Sequence, residues 1–313
     1  MTSTMVMLIL NGKKSGLPLI RQTVQMLRQQ GHLIEVRCTW EAGDIERFVR
    51  EAASRNIARI IAGGGDGTVN ELVDAIANLR HTEPALVHLL DNIEIAILPL
   101  GTANDFATAC LIPTEIEAAL TLAISGSAYK VDMAQANDRH FINVASAGFG
   151  AQITVETPVE LKDLLGGQAY FISGLIQALN FTPYQGKITA MLADGQLIEQ
   201  QGAGLLGAIC NGRLAGGGQK LAPNALLNDG LLDVLLVKHF PSSAVKQVID
   251  ELLNINLDGE YVSRLQVQNI TFESTQPLPV NLDGEPTSHL KHHFTVMPNA
   301  INLVLPQGSS ILG

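Results

Sequence analysis

Charge is the first thing this chain lacks. Asp, Glu, Lys and Arg together make up 16 % of its 313 residues against 46 % apolar residues. That balance excludes a self-repelling disordered polymer and leaves ample material for buried cores. Positive charge is scarcer still, with 20 Lys and Arg against 30 Asp and Glu and a net charge of −10. This argues against nucleic acid as a partner and against electrostatic adhesion to an anionic membrane, so peripheral contact with lipid would need a local patch or an apolar cleft. Cysteine is limited to Cys38, Cys110 and Cys210. An odd, scattered set without a C-x-x-C pair excludes a disulfide framework and fits a reducing cytosol. No apolar run approaches the roughly eighteen residues of a membrane span, and Gly202–Cys210 is broken by glycines. The short apolar run Met5–Leu10 has no basic segment before it, so it reads as a strand and not as a signal peptide. The expectation is a soluble, cytoplasmic protein.

What is there is an alternation of periods. Met5–Leu10, Leu33–Thr39, Ala58–Ala62 and Ile93–Pro99 read as strands, and Leu17–Gln30, Asp44–Arg55, Thr68–Leu79 and Glu115–Ser125 as helices between or after them. Asp44 reads as a helix N-cap. Strand–helix alternation at this spacing predicts parallel strands with right-handed crossovers, hence an open α/β sheet. Near Lys130 the pattern changes. A hairpin around Asn137-Asp138, a long helical segment from about Val159 to Asn180, a hairpin at Asp194-Gly195, a helix over Ser242–Leu253 and further strands to Ile301–Leu305 make the remainder mainly β. The expected fold class is α/β with two domains: an open parallel-sheet nucleotide-binding domain over residues 1–130 and a β-rich, sandwich-like domain over residues 131–313.

Two loops carry the chemistry. The stretch I-I-A-G-G-G-D-G-T-V-N-E, Ile60–Glu71, leaves a strand and opens a helix, where open α/β sheets bind ligands. Its glycines would let backbone amides approach a phosphate. No Lys-Ser/Thr follows, so it is not a P-loop, and Thr68 stands where a dinucleotide fingerprint has its third glycine. Asp66 among phosphate-facing amides makes sense facing Mg²⁺ or a hydroxyl; the plainer reading is a helix cap. The second loop, I-L-P-L-G-T-A-N-D-F-A, Ile97–Ala107, also leaves a strand and turns at Pro99 and Gly101. Alone it is a polar turn; together the two would converge on one crevice.

This pair of motifs, in this order and spacing, resembles the diacylglycerol kinase catalytic-domain family, which includes sphingosine kinases and bacterial lipid kinases. The likeness to the bacterial members extends through V-D-M-A-Q, F-I-N-V-A-S-A-G-F-G, N-G-R-L-A-G-G-G-Q, P-N-A-L-L-N-D-G-L-L and N-L-D-G-E-P. The resemblance implies a fold like that of NAD kinases and diacylglycerol kinases. The implied activity is ATP-dependent phosphorylation of a lipid head-group hydroxyl, with phosphatidylglycerol the favoured acceptor over diacylglycerol or a sphingoid base. It places nucleotide-binding residues at Thr39, Gly65, Asp66, Gly67, Thr68, Val69, Asn70, Glu71 and Thr102. The implied catalytic base is Asp283 in N-L-D-G-E, with Asp66 as the second catalytic carboxylate. A metal site falls on Asp229 and the carbonyls of Leu226 and Leu231, for Mg²⁺ or Ca²⁺, apart from the Mg²⁺ that travels with ATP. Without the resemblance, Asp283-Gly284 and Asp229-Gly230 both read as Asp-Gly turns. NAD kinases share the G-G-D-G-T loop, but P-L-G-T-A-N-D-F-A is lipid-kinase-like. A non-catalytic nucleotide-binding regulator is the other alternative, and the presence of both Asp66 and Asp283 argues against it.

Several features are set aside at this stage. His289, His292 and His293 read as a solvated strand edge, Gly216–Gly218 as a flexible loop, and Trp40 as a packed residue more than a nucleobase platform. Leu161, Leu164, Leu165, Phe171, Ile172 and Leu175 have helical spacing and read as core, some of them near a lipid cleft.

Overall fold

Apolar runs that a strand can bury on both faces build the middle of the first unit. In the computed structural model, which describes residues 5–148, 183–254 and 259–313, the chain divides into Met1–Met133 with Asn299–Gly313, and Ala134–Pro298. The first unit begins β1 (Met5–Leu10), α1 (Pro18–Gln29), β2 (Leu33–Cys38), α2 (Asp44–Ser54), β3 (Arg59–Gly64) and α3 (Asp66–Thr82). It continues α4 (Val87–Leu90), β4 (Glu94–Pro99), α5 (Asp105–Ala109), α6 (Ile116–Ser125) and β5 (Ser127–Ala136), whose residues from Ala134 on belong to the second unit. β1 pairs in parallel with β2 and β3, and β3 with β4, so the order is β2-β1-β3-β4 with all four carboxyl ends on one rim. The expected open α/β sheet is present. The strands carry their apolar side chains into cores with the helices, as with Leu8, Ile61, Ala96 and Leu98 against Ile20, Val24 and Leu120. The chain's end returns here, where Asn302 and Leu303 pair in parallel with Glu94 and Ile95.

Asp44 departs from its expected place. The N-cap of α2 is Gly43, in a left-handed conformation, and Asp44 lies inside the first turn, 3 % exposed. Its carboxylate reaches back to the amides of Trp40 and Glu41, at 2.6 and 3.1 Å.

The second unit contains β6 (Arg139–Phe141), β7 (Val144–Gly148), β8 (Tyr184–Leu192), β9 (Leu197–Cys210), β10 (Leu214–Ala215), β11 (Gln219–Lys220) and β12 (Leu232–Lys238). After these come α7 (Val245–Leu253), β13 (Val262–Leu282) and β14 (Glu285–Leu305), whose last residues belong to the first unit. Its strands pair antiparallel. Their core holds Phe141, Phe272 and Phe294, whose rings meet edge to face at 5.9 and 6.3 Å. Both Asn137 and Gly195 turn hairpins with positive φ. Gly216, Gly217 and Gly218, read above as a flexible loop, make the left-handed connection between β10 and β11. His292 is no solvated edge: it is 1 % exposed, bonds the Leu278 carbonyl through Nε2, and burial pushes its imidazole pKa down. His289 and His293 are exposed. The helix expected near Val159–Asn180, with Leu161, Leu164, Leu165, Phe171, Ile172 and Leu175, lies outside the described residues.

Glu251 at the end of α7 shows how this unit satisfies its backbone. It is 6 % exposed and accepts the amides of Glu260, Tyr261 and Val262 at 2.9–3.1 Å. Burial alone would raise its pKa, but Gln247 and the three amides outweigh burial and hold it below the usual carboxylate range. Glu251→Ala strands three amides, and urea unfolding should show a loss of about 2–4 kcal/mol. A depressed folded-state pKa also means that this contribution is complete above the unfolded value of about 4.3 and is lost as pH falls through the folded value. The variant should therefore show a shallower loss of stability below about pH 4.3 than the parent.

Candidate active site

Two glycine loops meet on the rim of the first unit. At the end of β3, Gly64 admits no side chain because the Thr68 hydroxyl folds back to 2.1 Å from where a Cβ would stand. Gly65 caps α3, and the amides of Thr68 and Val69 return to its carbonyl at 2.9 and 3.2 Å. Across from it, a Cβ on Gly101 would lie 2.6 Å from the Gly65 Cα and 2.7 Å from Asn104 Oδ1. The loops are in backbone contact, which excludes a side chain at Gly101 and leaves one at Gly65 pressed to 3.0 Å from the Gly101 Cα.

Asp66 completes the junction. Its two oxygens accept the amides of Asp105 and Phe106 at 3.1 and 3.0 Å, so it caps α5 from the neighbouring loop and not its own helix. Asn104, left-handed at φ 51°, closes the turn by bonding Gly101 N and O at 2.8 and 3.0 Å. The negative charge in the glycine loop is thus directed at backbone donors of the second loop. With the Thr68 and Val69 amides turned back on Gly65, the 17-residue helix α3 keeps the amides ahead of Thr68 and its positive dipole end for an anion.

The other positions divide by exposure. Gly67 is exposed, and nothing lies within 4 Å of where its Cβ would stand. Thr68 and Asn70 are buried, and Asn70 Oδ1 has no hydrogen-bond partner. Val69 is 3 % exposed in the core, so it offers a ligand only its backbone. Glu71 and Thr102 are exposed. Thr39 lies two strands away, its hydroxyl accepting the Gly12 amide at 3.2 Å, while Asn11 reaches Thr68 Oγ1 at 3.4 Å. Asn11 and Gly12 were not among the expected site residues. Their signal was the L-N-G-K turn at the end of the first strand.

The remaining carboxylates sit in the second unit. Asp283 and Gly284 form the two-residue connection of β13 and β14, with φ of 48° and 103°, the positive pair that a type I′ turn requires. The turn reading is correct as far as it goes. The Asp283 carboxylate also accepts the amides of Ile142, Asn143 and Val144 at 2.9, 3.0 and 2.7 Å. Asn211 holds the same segment through the Ile142 carbonyl at 2.7 Å. The motifs containing Asn143 and Asn211 were visible, but nothing local tied them to Asp283.

Asp229 is exposed and closes its turn on the Leu231 amide at 3.0 Å, with Gly230 at φ 73°. Leu226 and Leu231 are half-buried. Burial, and then the Asp229 charge, push Asp233 up to about 6, so two carboxylates share this corner and a hard cation would relieve them. Among the described residues no group of three or more His, Cys, Asp or Glu is assembled for a metal. A site of one carboxylate and two carbonyls has a different make-up. Burial, with the charges of Asp233 and Asp283, pushes the Cys210 thiol up, which leaves it protonated and unreactive. A cavity of about 230 Å³ in this unit is lined by Tyr184, Ile188, Leu236, Val237, Phe272 and Leu278 among others.

An open parallel sheet with interlocked glycine loops and a β-rich partner unit define a two-domain, phosphate-handling α/β protein. Comparison makes the class specific. Residues 5–136 match the diacylglycerol kinase catalytic domain, and residues 143–305 match the YegS C-terminal NAD kinase beta sandwich-like domain. A protein of Shewanella frigidimarina named "Probable lipid kinase YegS-like" is 48 % identical over 98 % of this chain and 95 % of its own length. One of that name from Yersinia enterocolitica is 43 % identical over 98 % and 99 %. A Bacillus anthracis crystal structure superposes with a TM-score of 0.77 at 26 % identity, covering 99 % of this chain and 97 % of that one. A second from the same strain, a diacylglycerol kinase, gives 0.73 at 23 % over 99 % of both and shows the fold alone. The chain belongs to the diacylglycerol kinase catalytic-domain family, in its YegS-like branch. It is a kinase.

Two glycines give opposite expectations. Gly101→Ala forces the loops apart and should cost about 1–3 kcal/mol in thermal or urea unfolding. Gly67→Ala meets open space in a helix, so stability should stay level or rise by up to about 1 kcal/mol. If the space at Gly67 is kept for a nucleotide, the same variant should bind ATP more weakly in equilibrium dialysis.

Proposed function

We propose that this protein transfers the γ-phosphoryl group of ATP to a head-group hydroxyl of a membrane lipid, with phosphatidylglycerol as the acceptor, working from the cytosol at the membrane surface. The observation that carries the nucleotide half is the glycine-loop junction: α3 presents its amino end beside open space at Gly67, and the buried Asn70 Oδ1 awaits a donor. The names of the YegS-like relatives support a lipid acceptor, and the glycerol head group of phosphatidylglycerol offers a primary hydroxyl. No helix among the described residues is long and apolar enough to cross a membrane, so the lipid would be met at the surface. The apolar cavity in the second unit suits part of an acyl chain.

The amides of Gly65–Gly67 would hold the phosphates, helped by the helix dipole, with the hydroxyls of Thr39, Thr68 and Thr102 as further contacts. The backbone of Val69, the side chain of Asn70 and the carboxylate of Glu71 complete the nucleotide set. Asp66 serves as a positioning residue, since both its oxygens anchor the second loop. Mg²⁺ arriving with ATP would supply charge neutralisation at the transferring group. Asp283 would accept the proton of the lipid hydroxyl; three amides fix its orientation, so no rotamer search precedes that step. Asp229 with the carbonyls of Leu226 and Leu231 would hold a separate Mg²⁺ or Ca²⁺ that stabilises the second unit.

The deciding assay incubates purified protein and γ-labelled ATP with phosphatidylglycerol, diacylglycerol and sphingosine in turn. Label should enter chloroform with phosphatidylglycerol. Label entering only with one of the others corrects the substrate, and label in none of them removes the lipid-kinase reading. Asp283→Asn keeps the volume of the turn and should lower kcat by about 10²- to 10⁴-fold with ATP affinity within a few-fold. A looser transition state would place the loss at the low end. Asp229→Ala should lower the melting temperature and abolish its dependence on added Mg²⁺ or Ca²⁺. An identical melt with and without chelator in the parent protein removes the metal site.

A further inference from the structure

Trp40 is the chain's single tryptophan, and it is not packed as the sequence suggested: 95 % of it is exposed. An isolated surface aromatic needs no explanation by itself. This one stands on a fixed base. The buried carboxylate of Asp44 bonds the Trp40 and Glu41 amides and pairs with Arg47, and those three partners, Arg47 first, hold its pKa down to about 2. On the other side, Thr39 bonds Leu10 O through its amide and Gly12 N through its hydroxyl. The backbone is pinned on both sides while the indole is left in water.

Its place on the rim is informative. In the order β2-β1-β3-β4, Trp40 follows β2 and the glycine loop follows β3, so they are two strand spacings apart, roughly 10 Å. Between them lies the end of β1, where Gly12 admits no side chain because a Cβ would fall 2.2 Å from the Thr39 carbonyl. Asn11, next to it, is tied to Gly63 O and Thr68 Oγ1. The floor from the glycine loop to the indole is therefore low. An extended nucleotide with its phosphates at the start of α3 would cover that span with its sugar and bring its base to Trp40.

We propose that the indole of Trp40 is the stacking platform for the nucleobase of ATP. The inference rests on the reading of the glycine loop as the nucleotide site. Stacking of a base on an aromatic face is favourable for either ring orientation and needs no hydrogen-bond partner, which suits a side chain surrounded by solvent. The rival occupant is the membrane interface, which tryptophan also favours, and Leu17 and Leu19 are exposed at the start of α1. The pinned backbone and the position on the ligand-binding rim of the sheet favour the nucleotide.

Because no other tryptophan contributes, the emission of the unmodified protein reports on this residue alone. ATP should change that emission saturably, whereas inorganic tripolyphosphate at the same concentration should not. Trp40→Ala should raise the Kd for ATP by about 5- to 30-fold and the KM for ATP in parallel, with kcat and the melting temperature unchanged; Trp40→Phe should recover most of the loss. If dialysis shows ATP bound while emission stays constant and Trp40→Ala binds as well as the parent, stacking is wrong and the glycine-loop reading stands. If the parent binds no ATP, both fall. If phosphatidylglycerol vesicles shift the emission to the blue and ATP leaves it unaltered, the indole is a membrane anchor and the proposal is overturned.

Discussion

The contact of Gly65 with Gly101 is the constraint from which the first unit's rim is built. Two loops from adjacent parallel strands touch through their backbones where neither carries a side chain. Once they touch, Asp66 reaches the amides of α5, Asn104 closes the turn and α3 is left facing outward with its amino end available. A substitution at Gly101 would disturb the geometry that lets Asp66 bond donors of a different loop. A carboxylate can stand at this helix start because its charge is directed at those amides.

The same device recurs. Asp44, Asp66, Glu251 and Asp283 accept two, two, three and three backbone amides. In a chain so poor in charge, carboxylates are used to hold backbone that strands and helices leave unpaired. Such bonds are charge-assisted and about twice as strong as neutral ones. The consequence for function is that the residues that resemble catalytic ones also carry structure. Loss of activity on removing Asp66 or Asp283 outright would mix loss of chemistry with loss of geometry, so conservative replacements are the informative ones.

Much of the fold was legible because the signals are local. The 2.0 and 3.6 periods place β1–β4, α1 and α2 within a residue or two of where they lie and α3 within three, and the Asn137-Asp138, Asp194-Gly195 and Asp283-Gly284 turns follow from residue types that tolerate positive φ. His292 and Asp44 were misread for one reason. Burial of a polar side chain depends on a partner distant in sequence or on the side of the turn it faces, such as the Leu278 carbonyl or the Trp40 amide, and no window of adjacent residues contains that information.

By itself, the sequence determined that parallel α/β and β-rich parts follow one another, that glycine loops end the third and fourth strands, and that the chain resembles lipid kinases. Periodicity, turn chemistry and contiguous motifs are properties of neighbouring residues. Tertiary structure alone decided that Gly65 meets Gly101, that Asp66 caps α5, that Asp283 gathers the amides of Ile142–Val144, that Trp40 stays in water and that Asn302 and Leu303 return beside β4. Each of these depends on segments brought together by the packing of apolar faces, and hydrophobic burial is non-directional: it brings elements together without specifying, in any local pattern, which polar atoms will meet.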